Sequence, residues 1–214
     1  MKLHDLSQLL SPQTPVYPGD PPFAFTQKLT LPADVCAVSK FTAGTHFGTH
    51  IDAFAHFIDG GLTAEAMPLA QFVGRALVAA ITPENGAISV TALERALSHR
   101  TDERILLLST GHGRAAGTAA FFQNLPLLPD GLAALLTKSG IITLGLDCPS
   151  VESAAGTVAL HKSLLGSGIA LVEGLVGLEN LVGKVPRSVF FSAAPLKIRG
   201  ADGTPVRAYA MTED

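Results

Sequence analysis

The chain has 214 residues, 47% of them hydrophobic and 15% charged, with a formal net charge of −3. That balance excludes a disordered chain and predicts a single domain over 1–214 built on one sizeable core. Lysine and arginine form no cluster, which excludes the footprint of a nucleic-acid binder, and no apolar run reaches the ~20 residues of a membrane helix.

In chain order, the opening MKLHDLSQLL lacks the apolar run and small-residue cleavage site of a signal peptide. Cys36 and Cys148 are far apart and fit no Cys-x-x-Cys pattern, so reduced thiols and a cytoplasmic location are expected. TPVYPGDPPF (14–23) is a loop, because its prolines and glycine suit neither a helix nor a central strand. AFTQKLTL (24–31) and VCAVSKFTAG (35–44) alternate loosely, as half-buried strands do. LTAEAMPLAQFV (62–73) predicts a short helix and RALVAAI (75–81) a buried strand. SVTALERALSHR (89–100) predicts a helix: Thr91 and Glu94 stand at capping-box spacing, and Ala92, Leu93, Ala96 and Leu97 form an apolar face.

RILLLST (104–110) reads as a strand, and DGLAALLTKSG (130–140) as a helix closed by Gly140. IITLGLD (141–147) is a strand ending at an aspartate, GTVALHKSLLGSG (156–168) a helix with a glycine stop, and IALVEGL (169–175) a strand that reaches Glu173. SVFFSAAPL (188–196) and PVRAYAM (205–211) close the chain as strands. The fold class is therefore α/β, mixed and β-rich, with more strands than a plain doubly wound sheet needs. A mean hydropathy of +0.36 favours a buried subunit interface.

The chemistry concentrates in GTHFGTHIDAFAHF (44–57), where His46, His50, Asp52 and His56 occupy one parity of an otherwise small or apolar segment. On a helix, His46 and His50 would share a face at i, i+4. Gly48, Thr49 and Ile51 suit an extended chain better, and there all four residues would converge from a strand and the loop after it. Four isolated polar groups at a sheet edge are the bland alternative, at a cost of roughly 1–3 kcal/mol for each one buried without a partner. A metal removes that cost, and the imidazole–carboxylate set suits Zn²⁺, with Mn²⁺ or Fe²⁺ as alternatives, in an open hydrolytic site. Glu173, after the apolar run Ile169–Val172, needs a partner of the same kind, whereas His161 taken alone reads as an exposed helix residue. His112, in LSTGHGRAAG, reads as a solvent-exposed loop histidine.

The run His-x-Gly-Thr-His-x-Asp-x-x-x-His resembles the signature of the metal-dependent cyclase-like hydrolases, and within them the kynurenine formamidase (arylformamidase) branch. The similarity extends to PVYPGDPPF, GLDCPSVES, LHKSLLGSGIALVEGL and APLKIRGADGTPVRAYA, nearly the whole chain. It implies a swivelling β/β/α fold, a homodimer and two Zn²⁺ per chain. His46, His50 and Asp52 would bind the first metal with Glu173; Asp52 and Glu173 would bridge to the second, completed by His161. His56 would stay free as the general acid/base, its ordinary pKa suiting proton transfer near neutrality.

The implied activity is hydrolysis of N-formylkynurenine, with opening of a cyclic amide, imide or lactone, as in isatin-hydrolase-like relatives, the alternative. Two departures fall near the substrate: Tyr17 stands where these formamidases carry tryptophan, and Phe54 where they carry proline. Tyr17 and Phe54 are accordingly the expected substrate-binding pair.

Overall fold

The structure, a computed structural model, describes residues 1–152 and 156–213. Ser153, the last residue of GLDCPSVES, lies outside the described residues. In chain order the strands are β1 (Lys2–Asp5), β2 (Ala24–Leu29), β3 (Val38–Thr42), β4 (His50–Asp52), β5 (Val73–Ala80), β6 (Ile105–Ser109), β7 (Thr143–Leu146), β8 (Ala170–Glu173), β9 (Arg187–Ser192), β10 (Gly203–Pro205) and β11 (Tyr209–Thr212). The helices are α1 (Val90–Leu97), α2 (Leu132–Lys138) and α3 (Ala159–Gly166).

Nine strands form one sheet in the order β1-β11-β9-β5-β6-β7-β8-β4-β10. Strands β5 to β8 run parallel, and the pairs outside them are antiparallel. The parallel centre explains the continuous apolar runs, since its strands are covered on both faces. Leu106 and Leu108 of β6 face a cluster completed by Leu93 and Leu97 of α1, Leu132 and Leu136 of α2, and Leu164 of α3. Ile105 and Leu107 face the opposite way, into a cluster with Ile51, Phe72, Phe191 and Ala210.

That second cluster lies inside a curl. Laid flat, β10 and β11 would stand seven strand spacings apart, about 34 Å at about 4.8 Å each. Only residues 206–208 join them, a link that spans about 14 Å at full stretch. The sheet is therefore rolled until its edges approach, and Val206 N donating to Thr49 O (2.9 Å) ties the link to the chain entering β4. What reads in sequence as one strand, PVRAYAM, is the pivot between two edges. The α/β, β-rich class is as expected; the roll follows from that three-residue link.

Three local expectations differ from the structure. Residues 62–73 form no helix but two 3-10 turns, Ala64–Ala66 and Leu69–Gln71, because Pro68 between them adopts an extended ψ of 134°. Helix α1 is capped by Ser89, whose side chain accepts from Ala92 N, rather than by Thr91 two residues on. Among the described residues strands β2 and β3 pair only with each other, and they are exposed along their whole length, not half-buried. Strand β1 has no counterpart in the sequence reading; it is short and mostly exposed, and gives no apolar alternation. No helix among the described residues is long and apolar enough to cross a membrane.

Candidate metal centre

The histidine segment is extended for only three residues. His50, Ile51 and Asp52 form β4, so His50 and Asp52 share a face and Ile51 enters the core. His46 comes from the turn before the strand, and His56 from a 3-10 turn over Phe54–His56 after it. Strand β4 lies between β8 and β10, in antiparallel register with both: His50 opposes Glu173, and Gly203 opposes Asp52. His161 enters from the first turn of α3 and is buried, not exposed as it read in isolation. His46, His50, Asp52, His161 and Glu173 are thus gathered from four parts of the chain.

Two buried carboxylates stand at the centre, and their oxygens divide between two sets of imidazoles. Asp52 Oδ1 lies 2.8 Å from His46 Nδ1 and 3.4 Å from His50 Nε2. Asp52 Oδ2 instead lies 4.0 Å from His161 Nε2. Glu173 Oε2 is 3.5 Å from His50 Nε2, and Glu173 Oε1 is 3.6 Å from His161 Nε2. Each histidine is fixed through its other nitrogen: His46 Nε2 at Asp202 Oδ2 (3.1 Å), His50 Nδ1 at Gly48 O (3.0 Å) and His161 Nδ1 at Glu152 Oε2 (2.8 Å). Outer acceptors of this kind set the tautomer and aim the free nitrogen at a metal.

The electrostatics concentrate opposed charges in a buried space. Burial and the nearby Asp52 charge push the Glu173 carboxyl above its usual range. Burial opposes charge on His46, but hydrogen bonds to Asp202 and Asp52 raise it to about 10; in the same way Glu173 raises buried His161 to about 9. Among the described residues Asp52 Oδ2 is buried with no hydrogen-bond partner, a costly state that a metal at that atom would relieve. The donor set, imidazole nitrogens with carboxylate oxygens, fits a divalent transition metal. Ligand atoms of His50, Asp52 and Glu173 lie within 4.8 Å of one another, as do those of His46, Asp52 and His56.

His56 stands beside this centre. Its ring stacks on His46 at 3.9 Å, and its Nδ1 lies 3.4 Å from Asp202 Oδ2. Burial lowers its pKa, favouring the neutral imidazole. Asp202 therefore touches both His46 and His56, and Thr45 Oγ1 donates to its other oxygen at 2.9 Å. Gly203 provides the space: a Cβ there would approach His46 Cε1 and Ile51 O to 2.6 Å each. Gly203→Ala is expected to displace the His46 ring and weaken metal binding at least tenfold, as read by titration of the metal-free protein; unchanged affinity would show that the ring has room to move.

A cleft of about 240 Å³ opens onto His46, His50, His56, His161 and Glu173. Tyr17, Phe57, Phe121 and Phe122 give it aromatic walls, and Tyr17 meets Phe122 edge to face at 5.9 Å. Phe54 is not part of this lining; it is half-buried and packs against both core clusters. Phe57 faces the cleft in its place, three residues on, because the 3-10 turn redirects the chain. His112 is half-buried rather than solvent-exposed, and its Nε2 lies 2.7 Å from Phe121 O, fastening the loop that carries Phe121 and Phe122. Asp147 anchors the start of that loop, accepting from Thr110 N, Thr110 Oγ1 and Gly111 N.

Sequence reasoning left Glu152, Asp202 and Asp147 without roles. Asp202 and Asp147 act across long separations and Glu152 across nine residues, and each sits in a stretch that gives no local signal beyond an acid beside a turn residue.

Comparison with known proteins gives one consistent picture. The family model described as "Putative cyclase" matches residues 4–153. A kynurenine formamidase of Salinibacter ruber is 33% identical over 211 residues, covering 97% of this chain and 96% of the relative. Isatin hydrolase A from Ralstonia solanacearum superposes with a TM-score of 0.83 at 25% identity, over 99% of this chain and 92% of that one. A structure described as a predicted metal-dependent hydrolase from Bacillus stearothermophilus gives a TM-score of 0.78 at 26% identity, over 98% and 97%.

Proposed function

We propose, from the premise that this chain belongs to the cyclase family, that it is a metal-dependent hydrolase of amide C–N bonds acting on N-formylkynurenine to give kynurenine and formate. The observation that carries the site assignment is the division of Asp52 and Glu173 between two sets of histidines. It supports two ions per chain, Zn²⁺ by preference and Mn²⁺ as the alternative. His46 and His50 would hold the first with Asp52 and Glu173, and His161 the second with the same two carboxylates. When bound, such ions acidify water and polarise a carbonyl.

The chain's own residues do the rest. His56 takes the proton of the attacking water and returns it to the departing aryl amine, which leaves poorly without it. Asp202, at Nδ1 of His56, holds the ring so that Nε2 is the nitrogen free for transfer. Tyr17, Phe57 and Phe122 offer ring faces and edges to the aromatic part of the substrate.

A second reading, opening of a cyclic amide such as isatin, draws support from the likeness to isatin hydrolase A. A panel of N-formylkynurenine, isatin, a cyclic imide and a simple lactone separates the two. Fastest turnover is expected for the formamide. No turnover of the formamide beside rapid ring opening overturns the first reading.

The proposal includes a homodimer in the cytoplasm. Unpaired Cys36 and Cys148 are compatible with a reducing compartment. For the dimer, the support is the β2–β3 hairpin, which stands apart from the main sheet and exposes Phe25 and Phe41 as a cross-strand pair. A two-stranded hairpin is marginal in water by itself. Phe41 also borders an apolar groove with Leu9, Leu196 and Ile198, and the occupant assigned to hairpin and groove is a second copy of this chain. Phe41→Asp should turn the dimer into a monomer in sedimentation velocity; a dimer of unchanged stability would move the interface elsewhere.

A further inference from the structure

The segment Ser150–Glu152 reaches both ligands that come from outside the histidine motif. Ser150 Oγ lies 3.4 Å from His161 Nε2, Val151 N donates to Glu173 Oε1 at 2.9 Å, and Glu152 Oε2 accepts from His161 Nδ1 at 2.8 Å. The same Glu152 oxygen also accepts from the backbone N–H of His161 at 3.1 Å. Helix α3 has no cap of its own, because Val158 at the N-cap position offers no side-chain acceptor and holds a φ of 54°. Glu152 closes that helix end from seven residues away in sequence, where a carboxylate is favoured by the helix dipole.

We propose that Glu152 is a positioning residue for His161: one carboxylate oxygen closes the end of α3 and holds Nδ1–H, so that Nε2 is presented to the second metal. The inference rests on the two-metal reading above. Its physical content is coupling. A helix end without Glu152 leaves the His161 ring held by its packing on Phe57 and by Ser150, with no acceptor to specify its Nδ1 tautomer. A carboxylate partner also makes the ligating nitrogen a better donor. Glu152 touches no ligand of the first site, so its effect should fall on one metal only.

The test is titration of the metal-free protein with Zn²⁺ against a chromophoric chelator, with thermal unfolding of the metal-free form measured in parallel. The wild type should take up two equivalents. Glu152→Ala should retain the first at wild-type affinity and bind the second about 10–100-fold more weakly. Glu152→Gln keeps an oxygen for both donors and should bind the second within about tenfold of wild type.

Two tight equivalents in Glu152→Ala would overturn the proposal. So would equal weakening of both sites, which would make Glu152 a structural cap alone. If Glu152→Ala does not fold, Glu152→Asp decides. Its shorter side chain cannot reach both donors, and unchanged second-site affinity would remove the positioning role. A wild type that binds one equivalent instead overturns the two-metal reading itself, and the inference with it.

Discussion

Replacing His56 by alanine is expected to lower kcat by about 10²–10⁴-fold while metal content stays at the wild-type value. The prediction is sharp because the geometry offers His56 two jobs. A nitrogen of His56 lies close enough to His46 and Asp52 to complete a metal triad, yet its Nδ1 faces Asp202 and its ring is stacked on His46. A ligand would take metal with it when removed; a proton carrier would not. Metal analysis beside steady-state kinetics therefore separates the two, and added imidazole should restore part of the lost rate only if the missing function is proton transfer. Joint loss of metal and activity would make His56 a ligand. Asp202→Ala should act on the same step more mildly. It leaves the His56 ring in place but removes the acceptor that orients it, together with the outer partner of His46.

Asp52→Asn is expected to have the largest effect on metal, weakening both sites at least 100-fold, because Asp52 alone contributes an oxygen to each set of histidines from the histidine motif itself. The measurement is thermal unfolding with and without Zn²⁺. An ion that binds only the folded state stabilises it by about 2.7 kcal/mol at a hundred times its dissociation constant. Wild-type protein should show that rise and Asp52→Asn should not. The metal-free variant is expected to fold, since an asparagine still accepts from His46 and removes the charge that burial sets against Glu173. A zinc-dependent rise in the variant equal to that of the wild type would dismiss Asp52 as the shared ligand.

Much of this arrangement is legible in the sequence, for different reasons in different places. Strands β6 to β8 announce themselves because a sheet covered on both faces leaves no polar position to break the pattern. His46, His50, Asp52 and Glu173 announce themselves because histidine and acid are rare inside apolar runs, whereas His161 taken alone reads as an exposed helix residue. What stays hidden depends on contacts between distant residues. The curl follows from three residues joining β10 to β11, which reads locally as one strand. Phe54 reads as a pocket residue from its place in the motif, yet the 3-10 turn sends it into the core and turns Phe57 to the cleft. Glu152 and Asp202 gain their roles only when α3 and β10 arrive beside the histidines.

The position of β4 between β8 and β10 also bears on how the protein is made. A ribosome has released His46, His50 and Asp52 long before it reaches Glu173, and β4 finds its antiparallel partners only when more than a hundred further residues have emerged. Pairings so far apart in sequence form late. An incomplete chain ending before β8 therefore carries His46, His50, Asp52 and His161 but lacks Glu173, the carboxylate that β8 sets opposite His50. The site that gathers these side chains is consequently a property of the finished polypeptide and of no shorter stretch of it.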